Sequence, residues 1–115
     1  MSIANRILYL QQGQHDVEVP VRIFAPEADG NAWRCRYEID WPGETHRSAV
    51  VGFDSMQALT LALQIIGTEL YTSDFHESGL LSWDSPRKSN SRKGYGFPVP
   101  TSLRDLLEGD DAKYL

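Results

Sequence analysis

The chain changes its hydrophobic rhythm at residue 54. Before that point apolar positions recur every second residue, the period of a half-buried strand; after it they recur every three or four, the period of a helix face. The clearest alternation places Trp33, Cys35, Tyr37, Ile39 and Trp41 on one face and Arg34, Arg36, Glu38 and Asp40 on the other. A second run, residues 16–25, sets Val17, Val19, Val21, Ile23 and Ala25 against Glu18, Pro20, Arg22 and Phe24. Pro20 cannot donate to a ladder, which predicts an edge strand or a bulge there. Residues 6–12 read as a further strand ended by Gly13, and 26–31 as a loop turning at Asp29-Gly30. Pro42-Gly43 predicts a tight turn with Pro at the second and Gly at the third position, so the chain returns antiparallel through Thr45, Arg47, Ala49, Val51 and Phe53.

Asp54 followed by Gln57 is a capping-box pattern. Met56, Leu59, Leu63, Ile66 and Leu70 then form one stripe of a helix of about 18 residues, with Ala58, Leu61, Ala62 and Ile65 as a second. An arc this broad either lies deep against a sheet or lends part of itself to a subunit interface, which makes a homodimer through this helix one expectation. Residues 79–83 read as a short last strand or a packed loop. Residues 84–96 carry few apolar side chains and are expected to form a flexible loop. Phe97-Pro98-Val99-Pro100 is extended, because a residue before proline is driven out of the helical region. Thr101 or Ser102 then caps a short helix to about Glu108, with Leu103, Leu106 and Leu107 inward, and the acidic tail frays. Strands first and helices afterwards predict one α+β domain over 1–115, an antiparallel sheet of four or five strands on one long helix with a short C-terminal helix.

Composition narrows function mostly by exclusion. A chain of 115 residues, 41% hydrophobic and 23% charged, can bury a core without metal or disulfide staples. Cys35 is the lone cysteine, which suits a reducing compartment. The N-terminal residues lack the pattern of a signal peptide, and the longest apolar window is too short to span a bilayer; the expectation is a cytoplasmic protein without a membrane partner. Net charge is −5, from 11 Lys+Arg against 16 Asp+Glu, which argues against nucleic acid by bulk electrostatics. The figure is unevenly distributed. Arg87, Lys88, Arg92 and Lys93 put four of the 11 basic residues in seven positions, leaving the rest of the chain at 7 − 16 = −9. The favoured reading of that cluster is a solvated loop tethered to the acidic tail; it would otherwise suit an acidic protein surface or, less well, nucleic acid, with Tyr95 and Phe97 near enough to stack on bases.

No constellation points to catalysis. Glycine-rich phosphate loops and the G-x-S-x-G elbow are missing, and no cofactor or metal is expected. His15, His46 and His76 stand in unlike contexts; Asp74, His76 and Glu77 could at most make a weak metal site and are better read as a solvated helix end. Cys35, inward between Trp33 and Tyr37, should be inert. Glu38 and Asp40 beside Arg34 and Arg36 form either a charge-paired, solvated sheet face or a ligand platform, the former being favoured. Trp33 and Trp41 belong to the core and Trp83 anchors the segment after the helix.

Three segments, Trp33-Arg-Cys35-Arg-Tyr37-Glu-Ile39, Gly52-Phe-Asp54-Ser-Met-Gln57-Ala58-Leu59 and Gly96-Phe97-Pro98-Val-Pro100, resemble a family of small uncharacterised bacterial proteins over roughly residues 30–100. The resemblance implies a fold and a bacterial, cytoplasmic setting, and no activity. The reading is a non-enzymatic protein–protein binding module, accessory or immunity-like, whose partner is itself or another protein. The alternatives are a small-ligand or nucleic-acid binder using Arg87, Lys88, Arg92 and Lys93 with Arg34 and Arg36, and an enzyme whose site is not legible in the sequence.

Overall fold

The computed structural model describes residues 1–84 and 94–115. Among the described residues six antiparallel strands come first or nearly so: β1 (Ser2–Gln12), β2 (His15–Phe24), β3 (Glu27–Asp29), β4 (Ala32–Trp41), β5 (Glu44–Gly52) and, after the first two helices, β6 (Leu81–Ser82). They form one sheet in which β6 pairs β1, β1 pairs β2, β2 pairs β4, and β4 pairs β5. β3 pairs β4 beside β2: Val21–Ile23 take the Tyr37–Ile39 stretch and Glu27–Asp29 take Ala32–Arg34. The two share one place in the sheet, interrupted at Ala25-Pro26. The expected loop at 26–31 is therefore partly a strand, because β4 is long enough to offer it a template.

Pro20 does not lie on an edge strand, since β2 runs between β1 and β4. The missing donor is accommodated because the ladder to β4 begins only at Val21. The Pro42-Gly43 turn is as expected: Trp41 pairs Glu44, and Gly43 takes a φ of 81° that side chains rarely adopt.

Helix α1 (Ser55–Tyr71) lies against one face of the sheet. Its start is double-bonded: Gln57 N–H donates to Asp54 Oδ1 at 2.7 Å and Phe53 N–H donates to Gln57 Oε1 at 2.6 Å. The buried stripe is Ala58, Ala62, Ile66 and Leu70, with Leu59, Leu63 and Ile65 flanking. Met56, expected at its head, is outside. Small alanines let the helix settle close to β4 and β5, so the stripe rotates toward them. The core beneath joins Leu8, Leu10, Val19, Val21, Ile23, Cys35, Tyr37 and Ile39 from the sheet.

After α1 come α2 (Asp74–Glu77), an extended strap through Tyr95–Pro100, a 3-10 turn (Thr101–Leu106) and α3 (Gly109–Tyr114). The strap crosses α1 at Gly67, where a Cβ would come within 2.0 Å of the Pro98 carbonyl oxygen. Two sequence expectations change here. The 3-10 turn follows Pro100 with no side-chain cap, and ends at Leu106. The acidic tail is helical and holds a buried carboxylate, Asp111, 2% exposed. Of the expected flexible loop, Tyr95 is buried too, because Asp111 accepts from its N–H.

Candidate functional site

One region that internal packing leaves open among the described residues is the β5 edge and the corner where β5 passes into α1. Among the described residues β5 pairs with β4 alone. The two-residue turn makes Trp41 and Glu44 the first hydrogen-bonded pair of the hairpin. Alternation from there aims the backbone groups of Glu44, His46, Ser48 and Val50 at β4, and those of Thr45, Arg47, Ala49 and Val51 at the free edge. At the end of that edge Val51, Phe53 and Met56 are 53%, 87% and 73% exposed. Gly52 sets the corner: a Cβ there would lie 2.6 Å from the Ala58 nitrogen, so strand and helix meet too closely for a side chain. With its N–H fixed on Gln57, Phe53 is held out into water.

The sheet face away from α1 is charged and internally compensated. Arg22 bridges Glu38 (Nε to Oε1, 3.0 Å) and Asp40 (Nη2 to Oδ2, 2.7 Å), Arg47 joins Glu38 at 2.9 Å, and Thr45 donates to Asp40 at 2.8 Å. The hydrogen bond from Arg22 holds the Asp40 carboxyl below its ordinary range; desolvation opposes that for Glu38, but Arg22 and Arg47 together still lower it. Arg34 pairs Asp29 at 3.2 Å, and Arg36 pairs Glu27 at 3.1 Å while lying 4.9 Å over the Phe24 ring. Arg34 and Arg36, two members of the binding site expected from the sequence, thus each already have an acid from β3, the element that sequence reading took for loop. The other four members of that site, Arg87, Lys88, Arg92 and Lys93, lie outside the described residues.

Two polar clusters flank α1. At its C-terminal end Asp111 Oδ2 accepts from Tyr71 Oη at 2.5 Å and Tyr95 N–H at 2.7 Å, and Oδ1 accepts from Gly96 N–H at 2.8 Å. His76, far from being a solvated helix end, places Nδ1 against the Tyr95 hydroxyl and Nε2 2.7 Å from Glu108 Oε2. Burial pushes both phenols, Tyr71 and Tyr95, well above the ordinary tyrosine range. They stay neutral near pH 7 and make poor proton donors. An open recess of about 410 Å³, with Thr72, Ser73 and Asp105 on its walls, lies beside His76. Both ring nitrogens of that histidine are engaged, so the cluster acts as a latch that ties α3 to α1 and the strap.

The second cluster joins Tyr37, His46 and Glu69. Glu69 Oε1 accepts from Tyr37 Oη at 2.9 Å and lies 3.0 Å from His46 Nε2. Burial, with the Glu69 bond second, pushes Tyr37 up to about 12. Sequence reading missed this group, yet the turn register contains it: pairing Trp41 with Glu44 sets His46 opposite Ile39 and Ser48 opposite Tyr37. Across the sheet, Arg6 shares the inward parity of Leu8 and Leu10. Its Nη1 donates to the Tyr95 and Gly96 carbonyls at 3.0 and 2.9 Å, and its guanidinium lies 4.4 Å from Trp83 and 4.7 Å from Phe97. Beside it opens an apolar cleft of about 250 Å³ floored by Val21, Ile23, Leu63 and Ile66. Cys35 is buried, donates to the Phe24 carbonyl and is pushed up by desolvation, which makes a poor nucleophile. Among the described residues no three His, Cys, Asp or Glu side chains are grouped to hold a metal, and no helix is long and apolar enough to cross a membrane.

The family model of a domain of unknown function, DUF6968, matches residues 4–99. The chain belongs to this family. The match takes in β1 through the strap, and thus the β5 edge and the Phe53 corner; α3 and Asp111 follow it. No curated protein and no solved structure matches the chain.

Proposed function

We propose that this protein works by binding protein rather than by catalysis, as an accessory or immunity-like module of a bacterial cytoplasm. The observation that carries the reading is the exposed apolar corner of Val51, Phe53 and Met56 at the end of a strand edge that none of the described residues pairs. An edge supplies main-chain hydrogen bonds and an adjoining aromatic supplies the apolar anchor, the two ingredients of strand-addition recognition.

The test is a reconstituted complex. A protein co-purifying with the chain from its native host is identified, purified and recombined with wild type and with Phe53→Asp. Binding by wild type and loss in the variant, with unchanged circular dichroism, is the expected result. Equal binding by both, or recovery of neither a partner nor a self-complex, rejects the reading.

A further inference from the structure

We propose that the occupant of the β5 edge is a second copy of this chain, paired strand to strand about a two-fold axis. The inference rests on the reading of this edge and corner as a protein contact, and names the partner. The strand's own sequence selects the register. Pairing β5 with itself over its whole length, Glu44 against Gly52, puts Ser48 opposite Ser48. Thr45 then faces Val51 and Arg47 faces Ala49, and these are the residues whose backbone groups point outward, so both pairs can exchange hydrogen bonds. On the other face His46 meets Val50. No charge stands opposite a charge. Shifting the axis by one residue costs something either way: in one direction Arg47 meets Arg47, and in the other Glu44 and Thr45 lose their partners, because β5 ends at Gly52 and the ladder shortens to His46–Gly52. Directly opposed like charges destabilise a strand pair and a shortened ladder weakens it, so one register is favoured over its neighbours.

The same register gives the exposed aromatic a place. Phe53 falls opposite Gly43 of the second copy, and the space above that glycine is open: a Cβ built there has nothing within 4 Å. An aromatic ring laid over a cross-strand glycine shields backbone that would otherwise stay wet. The pairing thus covers Phe53 and the free donors and acceptors of the edge in one step, and joins two sheets into one. A long strand left bare is an aggregation hazard, and closed two-fold pairing satisfies it without a chain reaction.

Sedimentation equilibrium on the full chain, over the micromolar range, should give a mass rising from 13.0 kDa to twice that value. Val51→Lys should hold it at the monomer, and so should Ala49→Pro, whose lost N–H faces the edge and not β4. In the dimer, exchange of the Thr45, Arg47, Ala49 and Val51 amides should slow with concentration. Ser48→Cys should cross-link to itself on mild oxidation, since Ser48 is a non-hydrogen-bonded pair across the axis, the closer kind; His46→Cys should not. A chain that stays monomeric throughout, or a dimer indifferent to Val51→Lys and Ala49→Pro, overturns the second copy as partner. A dimer sensitive to both but not cross-linked through Ser48→Cys overturns the register. A monomeric wild type that binds a different protein through Phe53 would leave the protein-binding reading standing while removing this one.

Discussion

At the scale of single residues, Asp111 is the position on which most depends. Its two oxygens satisfy two backbone N–H groups and one phenol; the bonds from Tyr71 and from Tyr95 N–H are buried, and the one from Gly96 N–H is part-buried. Asp111→Ala would leave those donors unpaired, at a cost of about 3 kcal/mol or more. We expect the midpoint of urea unfolding to fall accordingly, and a midpoint within error of wild type would show that the latch is dispensable. The tyrosines it serves make a second prediction. Tyr37, Tyr71 and Tyr95, three of the five in the chain, have phenols raised above the ordinary value of about 10. A raised acid of this kind stabilises the fold fully below its unfolded pKa, and that stability is lost as pH rises through the folded value. Absorbance titration at alkaline pH should therefore show these phenols ionising late and together with loss of the fold. The carboxylates of Glu38 and Asp40 have the opposite sign. Lowered in the folded state, they contribute above the ordinary carboxylate range, and the contribution disappears as pH falls below about 4. Arg22→Met should flatten that acid dependence, measured as urea midpoints at neutral and acid pH.

At the scale of elements, close approach decides more than propensity does. Gly67 sits in mid-helix, where alanine would ordinarily favour the helix by about 1 kcal/mol. Here a Cβ would run into the Pro98 carbonyl, which is backbone and cannot swing aside. Gly67→Ala should therefore destabilise by about 2 kcal/mol, the usual scale of overpacking, and displace the strap. A stabilised variant would mean that the strap is loosely held. The helix itself was legible: the Asp54–Gln57 pattern and the three–four spacing locate α1 to within a residue at its start. Its buried face was less so. Leu and Met stripes outrank alanines on hydrophobicity, but Ala58 and Ala62 are the residues small enough to meet β4 and β5, and Met56 is left in water.

The whole molecule measures 48 × 30 × 22 Å, its short axis being one sheet and one helical layer. A two-layer body leaves a sheet face and the sheet edges uncovered. The face is managed by the ion pairs around Arg22, Arg34, Arg36 and Arg47; the β5 edge carries only Glu44 and Arg47 as charged residues and ends on Phe53. The C-terminal segment completes the other layer. Although α3 follows the part matched by the family model, it carries Asp111, so ending the chain at Val99 should leave Tyr71 and Tyr95 without their acceptor. We expect a shortened chain of that kind to lose cooperative thermal unfolding by circular dichroism; a sharp transition near that of the full chain would refute the structural role given to α3.

Local chemistry alone determined the hairpin at Pro42-Gly43, the inward face of β4 and the cap of α1, because each follows from period, turn type or a pairing three residues apart. Local pattern could not show that β3 shares the sheet position of β2, that Arg6 stacks between Trp83 and Phe97, or that an acidic tail folds back to bury Asp111 against Tyr71, 40 residues earlier. Those features depend on partners far apart in the chain, and a carboxylate in a tail reads as a solvated charge until the donors that enclose it are in place. The β5 edge falls between the two cases: its alternation is written in the sequence, but only the tertiary structure decides that, among the described residues, nothing pairs with its outer side.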